Sequence, residues 1–296
     1  MADRFVLAGP ASRELGEAVA AKLKFPTLSF DFRVFPDSES RFRVEEKVSG
    51  STVFVIQSTY PPADQHIMQL LLISHHLSQE GAKVHAVIPY LAYARQDKQF
   101  QPGEVVSLGV VSHLLRSAGV KRVTTVDIHS PEGLALFSIP AYSASAVPAL
   151  VDYVRRNMKL KDVAVVAPDF GSSKRSEAFA TVYGAKYLQF SKTRDRVTGD
   201  VKVEASKLGV KGMDVIVFDD IISTGGTVRA AAGLLLAAGA SKIVAVCTHP
   251  LLVGDAPAKL QKAGVSEVIG TNTVPSSVSK VDVSEAITSH ISTLAE

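Results

Sequence analysis

The chain of 296 residues contains one cysteine, Cys247, and no tryptophan. A single thiol cannot close an internal disulfide, and the absence of C-x-x-C pairs excludes the usual structural zinc sites. A reducing, cytoplasmic compartment is therefore expected. Long apolar runs are missing as well. The longest, 230–239, is rich in Ala and Leu and falls short of the ~20 residues that cross a bilayer. It is expected to form a buried helix. Residues 1–7 lack the apolar core of a signal peptide. Nor is there a large excess of either charge: 32 basic residues face 29 acidic ones, for a net charge of +3. No basic patch is interleaved with aromatics. Neither nucleic acid nor a membrane is an expected partner.

Hydrophobic residues make up 46% of the chain and charged residues 21%. That is enough apolar material for a full core, so disorder is excluded as the main state. Short apolar strands alternate with helix-like segments throughout. Strands are expected over 6–9, 29–34, 52–56, 84–89, 122–127, 163–167, 186–190, 201–204, 215–218, 242–247 and 267–270. Helices are expected after a Ser12 cap and over 63–78, 105–118, 147–157, 172–183, 227–238 and 257–263. Continuous apolar strands between helices indicate parallel sheets buried on both faces. The fold class is α/β, with two sheets of about five strands joined near 140–148. Ligands of open α/β sheets sit at the carboxyl ends of strands.

The strongest signal is the run from Val215 to Thr227. An apolar strand ends in Asp219 and Asp220, and the turn Ser223-Thr224-Gly225-Gly226-Thr227 then opens a helix. Backbone amides, hydroxyls and a helix N-terminus together suit a phosphate dianion. Two carboxylates closing an apolar strand need a purpose, because burying them is costly. A sugar diol or a cation would supply one.

This run resembles the ribose-5-phosphate/PRPP-binding motif shared by type I phosphoribosyltransferases and ribose-phosphate diphosphokinases (PRPP synthetases). Other segments resemble the synthetases specifically. Phe35-Pro36-Asp37-Ser38-Glu39 is similar to the family's adenine-contacting F-P-D-G-E loop, with Ser38 in place of the usual glycine. Tyr93-Ala94-Arg95-Gln96-Asp97-Lys98 is similar to Y-A-R-Q-D-[RK], and Arg95 suits bidentate contact with phosphate. Asp127-Ile128-His129 is similar to D-[LI]-H. Asp169-Phe170-Gly171-Ser172-Ser173-Lys174-Arg175 is similar to the pyrophosphate loop. Lys192-Thr193-Arg194, followed by 195–200, is similar to the catalytic loop with its K-x-R pair. That loop is shorter than in many bacterial relatives, which hints at an archaeal-type member. The resemblance spans about residues 5–275.

It implies two phosphoribosyltransferase-type I-like domains, 1–143 and 144–283, with a terminal helix near 284–296 packing on the first. It further implies transfer of a diphosphoryl group from ATP to the C1 hydroxyl of ribose 5-phosphate, with Mg²⁺ as cofactor. ATP contacts are implied for Phe35, Asp37, Ser38, Glu39, Arg95, Gln96, Asp97 and Lys98. Ribose 5-phosphate contacts are implied for Arg194, Asp219, Asp220 and Ser223 to Thr227, and catalytic cations for Lys192 and Arg194. Asp169 and His129 are implied near the metal, and because magnesium prefers oxygen, His129 is a metal or phosphate neighbour. A homodimer or higher homo-oligomer that shares its ATP site between subunits is the family expectation. Two alternatives stand beside this one: a phosphoribosyltransferase that consumes PRPP, and a non-catalytic synthetase-like subunit.

Overall fold

A computed structural model describes residues 3–169, 171–194, 201–204 and 209–293; for Ser191–Arg194 and Val201–Glu204 it describes the backbone. The chain divides into two compact units, Met1–Ser145 with Asp282–Glu296, and Ala146–Val281.

In the first unit, β1 (Arg4–Ala8), β4 (Thr52–Ile56), β5 (Lys83–Ile88), β6 (Val120–Val126) and β7 (Ala141–Ala144) form a five-stranded sheet in that spatial order. Every neighbouring pair is parallel. Val6, Leu7, Val53, Val55, Ile56, Val84 and Val87 are fully buried. β-Branched residues fit a pleated sheet covered on both sides. The covers are α1 (Arg13–Leu23), α2 (Ala63–Gln79), α3 (Ser107–Ser117) and α8 (Ser284–Thr293), which returns from the end of the chain to pack on α1 and β7. A separate antiparallel ribbon, β2 (Phe30–Val34) with β3 (Ser40–Val44), stands beside α2.

The second unit carries α4 (Val147–Asn157), β8 (Ala164–Val166), α5 (Ser173–Tyr183), β9 (Lys186–Leu188), β10 (Ser191–Arg194) and β11 (Val201–Glu204). These are followed by β12 (Asp214–Ile222), α6 (Gly226–Ala237), β13 (Lys242–Pro250), α7 (Ala256–Lys262), β14 (Val265–Thr271) and β15 (Ser279–Val281). Its main sheet runs β15-β14-β13-β12-β8-β9, again all parallel. The chain goes from β8 to β9 on one side, then crosses to β12 on the other. This reversal makes a topological switch point between β8 and β12, where a crevice forms at the carboxyl ends of the strands. β10 and β11 pair as an antiparallel ribbon.

Three expectations change. Ser12 sits at the N-cap of α1 without capping it, because its hydroxyl accepts the Ser58 amide instead. The run 230–239 is buried on one face only: Ala231, Ala232 and Leu235 face the core, while Leu236 is exposed. β12 extends through both aspartates to Ile222, and β13 extends to Pro250.

Gly16 fixes how α1 sits on the sheet. A Cβ there would lie 2.5 Å from the Ala8 Cβ and 2.8 Å from the Ala8 Cα. Backbone cannot yield as a flexible side chain does. Gly16→Ala gains about 1 kcal/mol of helix propensity, but it pushes α1 off β1 at a cost of ~1–3 kcal/mol. The expected net result is a lower denaturation midpoint in urea. An unchanged or higher midpoint would show that α1 can shift freely.

Candidate active site

The clearest constellation lies at the switch point of the second unit. Phe218 stacks on Phe179 of α5 at 4.4 Å between centroids, and Ser176 donates to the Phe218 carbonyl at 2.8 Å. These contacts clamp the end of β12 against α5. Asp219 and Asp220 follow, only 7% and 2% exposed. Arg175 of α5 pairs with Asp220 at 3.1 Å. The Asp220 amide donates to the Asp219 carboxylate at 2.9 Å. Burial, then the charge of Asp220, and less strongly that of Asp169, push the Asp219 carboxyl up to about 8. Beside it in register on β13, burial raises the Cys247 thiol well above its ordinary range, so this lone cysteine packs as a neutral residue.

Next in the chain, Gly225 takes a left-handed φ of 72° and caps α6, which starts at Gly226. A Cβ on Gly225 would come within 3.1 Å of Leu260 of α7. Ser223 and Thr224 lie between strand and helix, and Thr224, Gly226 and Thr227 are exposed. The turn is laced from behind by amides of the following loop: Leu252 donates to the Ile222 carbonyl at 3.0 Å and Val253 to the Ser223 carbonyl at 3.1 Å. The first amides of α6 therefore open toward solvent on a fixed frame, the geometry of an oxyanion cradle. At the neighbouring strand end, one carboxylate oxygen of Asp169 accepts both the Ser172 amide (3.0 Å) and its hydroxyl (3.2 Å). Asp169 thus steadies the turn into α5 while remaining exposed. Phe170 lies outside the described residues.

Lys192 and Arg194 stand on β10, in register with Val203 and Val201 of β11. Residues 195–200 of the expected catalytic loop lie outside the described residues.

The first unit holds the other candidate residues. Phe35 to Glu39 form the tip of the β2–β3 ribbon, closed by amides donating from Ser38 to Phe35 and from Phe35 to Glu39. Arg33 lies over the Phe35 ring at 5.1 Å. One oxygen of Asp37 accepts the Glu39 amide at 3.1 Å. Ser38 is held at φ 74°, the conformation for which glycine is the usual choice. A cavity of about 450 Å³ between this tip and α2 is lined by Asp37, Ser38, Glu39, Gln65, Met68 and Leu72.

Arg95, Gln96 and Lys98 project from the loop after β5 and are exposed. The turn is fixed by the Gln96 amide donating to Tyr93, and the Tyr93 hydroxyl contacts Asp64 of α2 at 2.5 Å. Asp97 forms no ion pair among the described residues. His129 follows β6, half-buried. Among the described residues, no hydrogen bond or ion pair joins 35–39 to 95–98 within one chain.

The sequence places Arg175 only in a phosphate-loop motif; spacing along the chain cannot reveal its pairing with Asp220, since the partner lies on another element. The same arrangement has a pH consequence. An acid whose folded pKa is raised keeps, in the folded chain, a proton that the unfolded chain releases above its ordinary 3.8. Stability of the ligand-free protein therefore falls as pH rises toward about 8. Asp219→Asn removes that dependence. The melting-temperature advantage of the variant over the parent is expected to widen from about pH 5 to about pH 9. A constant gap would mean that Asp219 ionises as an ordinary carboxylate.

Comparison with known proteins supplies the family. Residues 5–119 match the N-terminal domain of ribose phosphate pyrophosphokinase, and residues 197–296 match the phosphoribosyl synthetase-associated domain. A ribose-phosphate pyrophosphokinase of Methanothermobacter thermautotrophicus is 39% identical, the alignment covering 94% of this chain and 96% of that protein. The one from Sulfurisphaera tokodaii is 37% identical, covering 95% and 98%. The crystal structure of phosphoribosylpyrophosphate synthetase from Mycobacterium smegmatis superposes with a TM-score of 0.88 at 31% identity, covering 99% of both chains. With two helix-flanked parallel sheets and relatives matched nearly end to end, the chain is an enzyme of the ribose-phosphate pyrophosphokinase family.

Proposed function

We propose that this enzyme transfers the β,γ-diphosphoryl group of Mg-ATP to the C1 hydroxyl of ribose 5-phosphate, giving PRPP and AMP for nucleotide biosynthesis. The observation that carries this reading is the buried acidic end of β12 beside an open amide cradle, in a chain similar to PRPP synthetases over its whole length.

In this reading Ser223, Thr224, Gly225, Gly226 and Thr227 bind the 5-phosphate through α6 amides and hydroxyls. Asp219 and Asp220 accept hydrogen bonds from the 2- and 3-hydroxyls. Phe35, Asp37, Ser38 and Glu39 bind the adenine, and Arg95, Gln96, Asp97 and Lys98 the rest of ATP. The C1 oxygen attacks the β-phosphorus in line and gives up its proton to solvent, the bond from that phosphorus to the α,β-bridging oxygen breaks, and AMP leaves with that oxygen. Such transfers depend on positioning and charge neutralisation. Lys192 and Arg194 supply that charge, with Arg194 also touching ribose 5-phosphate.

The donor set fits Mg²⁺. Asp169, Asp219 and Asp220 are oxygen donors that act on one another electrostatically, yet among the described residues no three His, Cys, Asp or Glu form a ready-made cage. Magnesium usually takes one or two carboxylates and completes its shell with water and phosphate oxygens. Asp169 would hold it, with His129 beside the metal or the phosphates. When bound, the ion neutralises phosphate charge.

The test is AMP formation from ATP and ribose 5-phosphate with Mg²⁺. Lys192→Ala is expected to lower kcat about 10²–10³-fold, ~3–4 kcal/mol of barrier, at saturating substrates. A loss of less than twofold would remove Lys192 from the transition state.

An ATP site completed by a second subunit belongs to this reading. Exposed apolar residues on neighbouring helices, Met68 and Leu72 of α2 and Val110 and Leu114 of α3, support self-association. Light-scattering mass at assay concentration is expected to show a dimer or larger assembly. A fully active monomer would exclude the shared site. No helix of the described residues is long and apolar enough to cross a membrane.

A further inference from the structure

Two glutamines of the first unit are buried where apolar side chains would pack as well. Gln57 directly follows β4 and is fully buried, and Gln69 of α2 is 2% exposed. Their neighbours Ile56, Leu70 and Ile73 are the residues such positions usually hold. Room is made for the Gln57 amide, because a Cβ on Gly9 would lie 2.2 Å from its Oε1 atom. Gly9 has extended backbone, φ −63° and ψ 165°, which any residue adopts, so its missing side chain serves space and not conformation.

The direction of each side-chain amide is dictated by its partner. The backbone amide of Ala11, in the short turn Pro10–Ser12, can only donate, and it donates to Gln57 Oε1 at 3.1 Å. That leaves Gln57 Nε2 to donate to Gln69 Oε1 at 3.3 Å, with the His66 carbonyl at 3.5 Å. Gln69 Nε2 then donates to the Ser40 hydroxyl at 3.2 Å. A directed chain of hydrogen bonds thus runs from the turn before α1, through the core, to Ser40. Buried polar networks with every member satisfied hold one geometry where apolar contacts would allow several.

Ser40 opens β3 directly after Glu39. The β2–β3 ribbon lies outside the main sheet, and a two-stranded hairpin has little stability of its own. Its root is tied to β1, where the Leu28 amide donates to the Val6 carbonyl at 2.8 Å. At ~3.3 Å per residue, β2 carries Val34 about 13 Å beyond Phe30. The cavity of about 450 Å³ keeps the tip from packing closely on α2. Among the described residues, the bond from Gln69 to Ser40 is the one hydrogen bond between the ribbon and α2.

We propose that Gln57, Gln69 and Ser40 are positioning residues for the nucleotide, a relay that holds the ribbon tip, and with it 35–39, in place relative to the end of β4. The inference rests on the adenine role proposed above for 35–39. A tip already in place spares ATP the ordering of the ribbon. Loss of the relay therefore weakens ATP selectively and leaves ribose 5-phosphate and the chemical step alone.

Ser40 is half-buried, so Ser40→Ala is expected to fold normally. It is expected to raise KM for ATP roughly fivefold, the worth of one neutral hydrogen bond. KM for ribose 5-phosphate and kcat are expected to stay within about twofold. Ser40→Thr keeps the hydroxyl and is expected to retain the parent KM. Gln69→Leu is expected to reproduce the effect, with Ser40→Ala adding nothing in that background. Hydrogen exchange at the Phe35 and Ser38 amides, which close the tip, is expected to quicken in Ser40→Ala while the β4 amides stay protected. An unchanged KM for ATP, an equal rise for both substrates, or additive effects of the two substitutions overturn the proposal. A parent that forms no AMP refutes the reaction instead. The exchange measurement then decides the relay, and unchanged protection at the tip overturns it.

Discussion

Two carboxylates are held inside the protein at the end of an apolar strand, and the second unit is organised around that cost. Burying a charge without compensation is worth several kcal/mol against folding. The two aspartates meet the cost differently. Asp220 is paired with Arg175, while Asp219, pressed by burial and by its neighbour, is driven toward the neutral form. Neither arrangement improves on an apolar residue for stability alone. The pair makes sense as a binding device whose ligand relieves the crowding.

α5 is the strut that makes this possible. Its first turn is steadied by Asp169 after β8. Its next residues supply Arg175 to Asp220, the Ser176 hydroxyl to the Phe218 carbonyl, and the Phe179 ring to Phe218. One helix thus ties together the strand ends on both sides of the switch point. On the far side of β12, Leu252 and Val253 lace the phosphate-type turn, and Leu260 packs against Gly225. The cradle is rigid because it is held from two directions, and rigidity lowers the entropy cost of binding.

Much of this was legible in the sequence, and the misses have physical causes. β4, α4 and β11 lie where apolar alternation and turn residues placed them. The end of β12 was read too early, at Phe218 rather than Ile222, because a strand is expected to stop at its first charge. Only tertiary partners make two buried aspartates tolerable, and these are invisible to local pattern. The same holds for Ser12: its position before α1 was readable, but the Ser58 amide that claims its hydroxyl belongs to another strand end.

Backbone conformation sets three loops of the first unit apart. Ser38, Tyr93 and Asp127 all adopt positive φ, at 74°, 65° and 38°, without being glycine. Each such residue costs on the order of 1 kcal/mol and persists only where its surroundings impose it. The impositions are visible. Amides close the ribbon tip around Ser38, Asp64 holds the Tyr93 hydroxyl, and the Ala144 carbonyl takes the Asp127 amide. These three are fixed in costly shapes in the chain beside Asp37, Arg95 and His129. The strain is then met during folding, and little further ordering is left for the moment a ligand arrives.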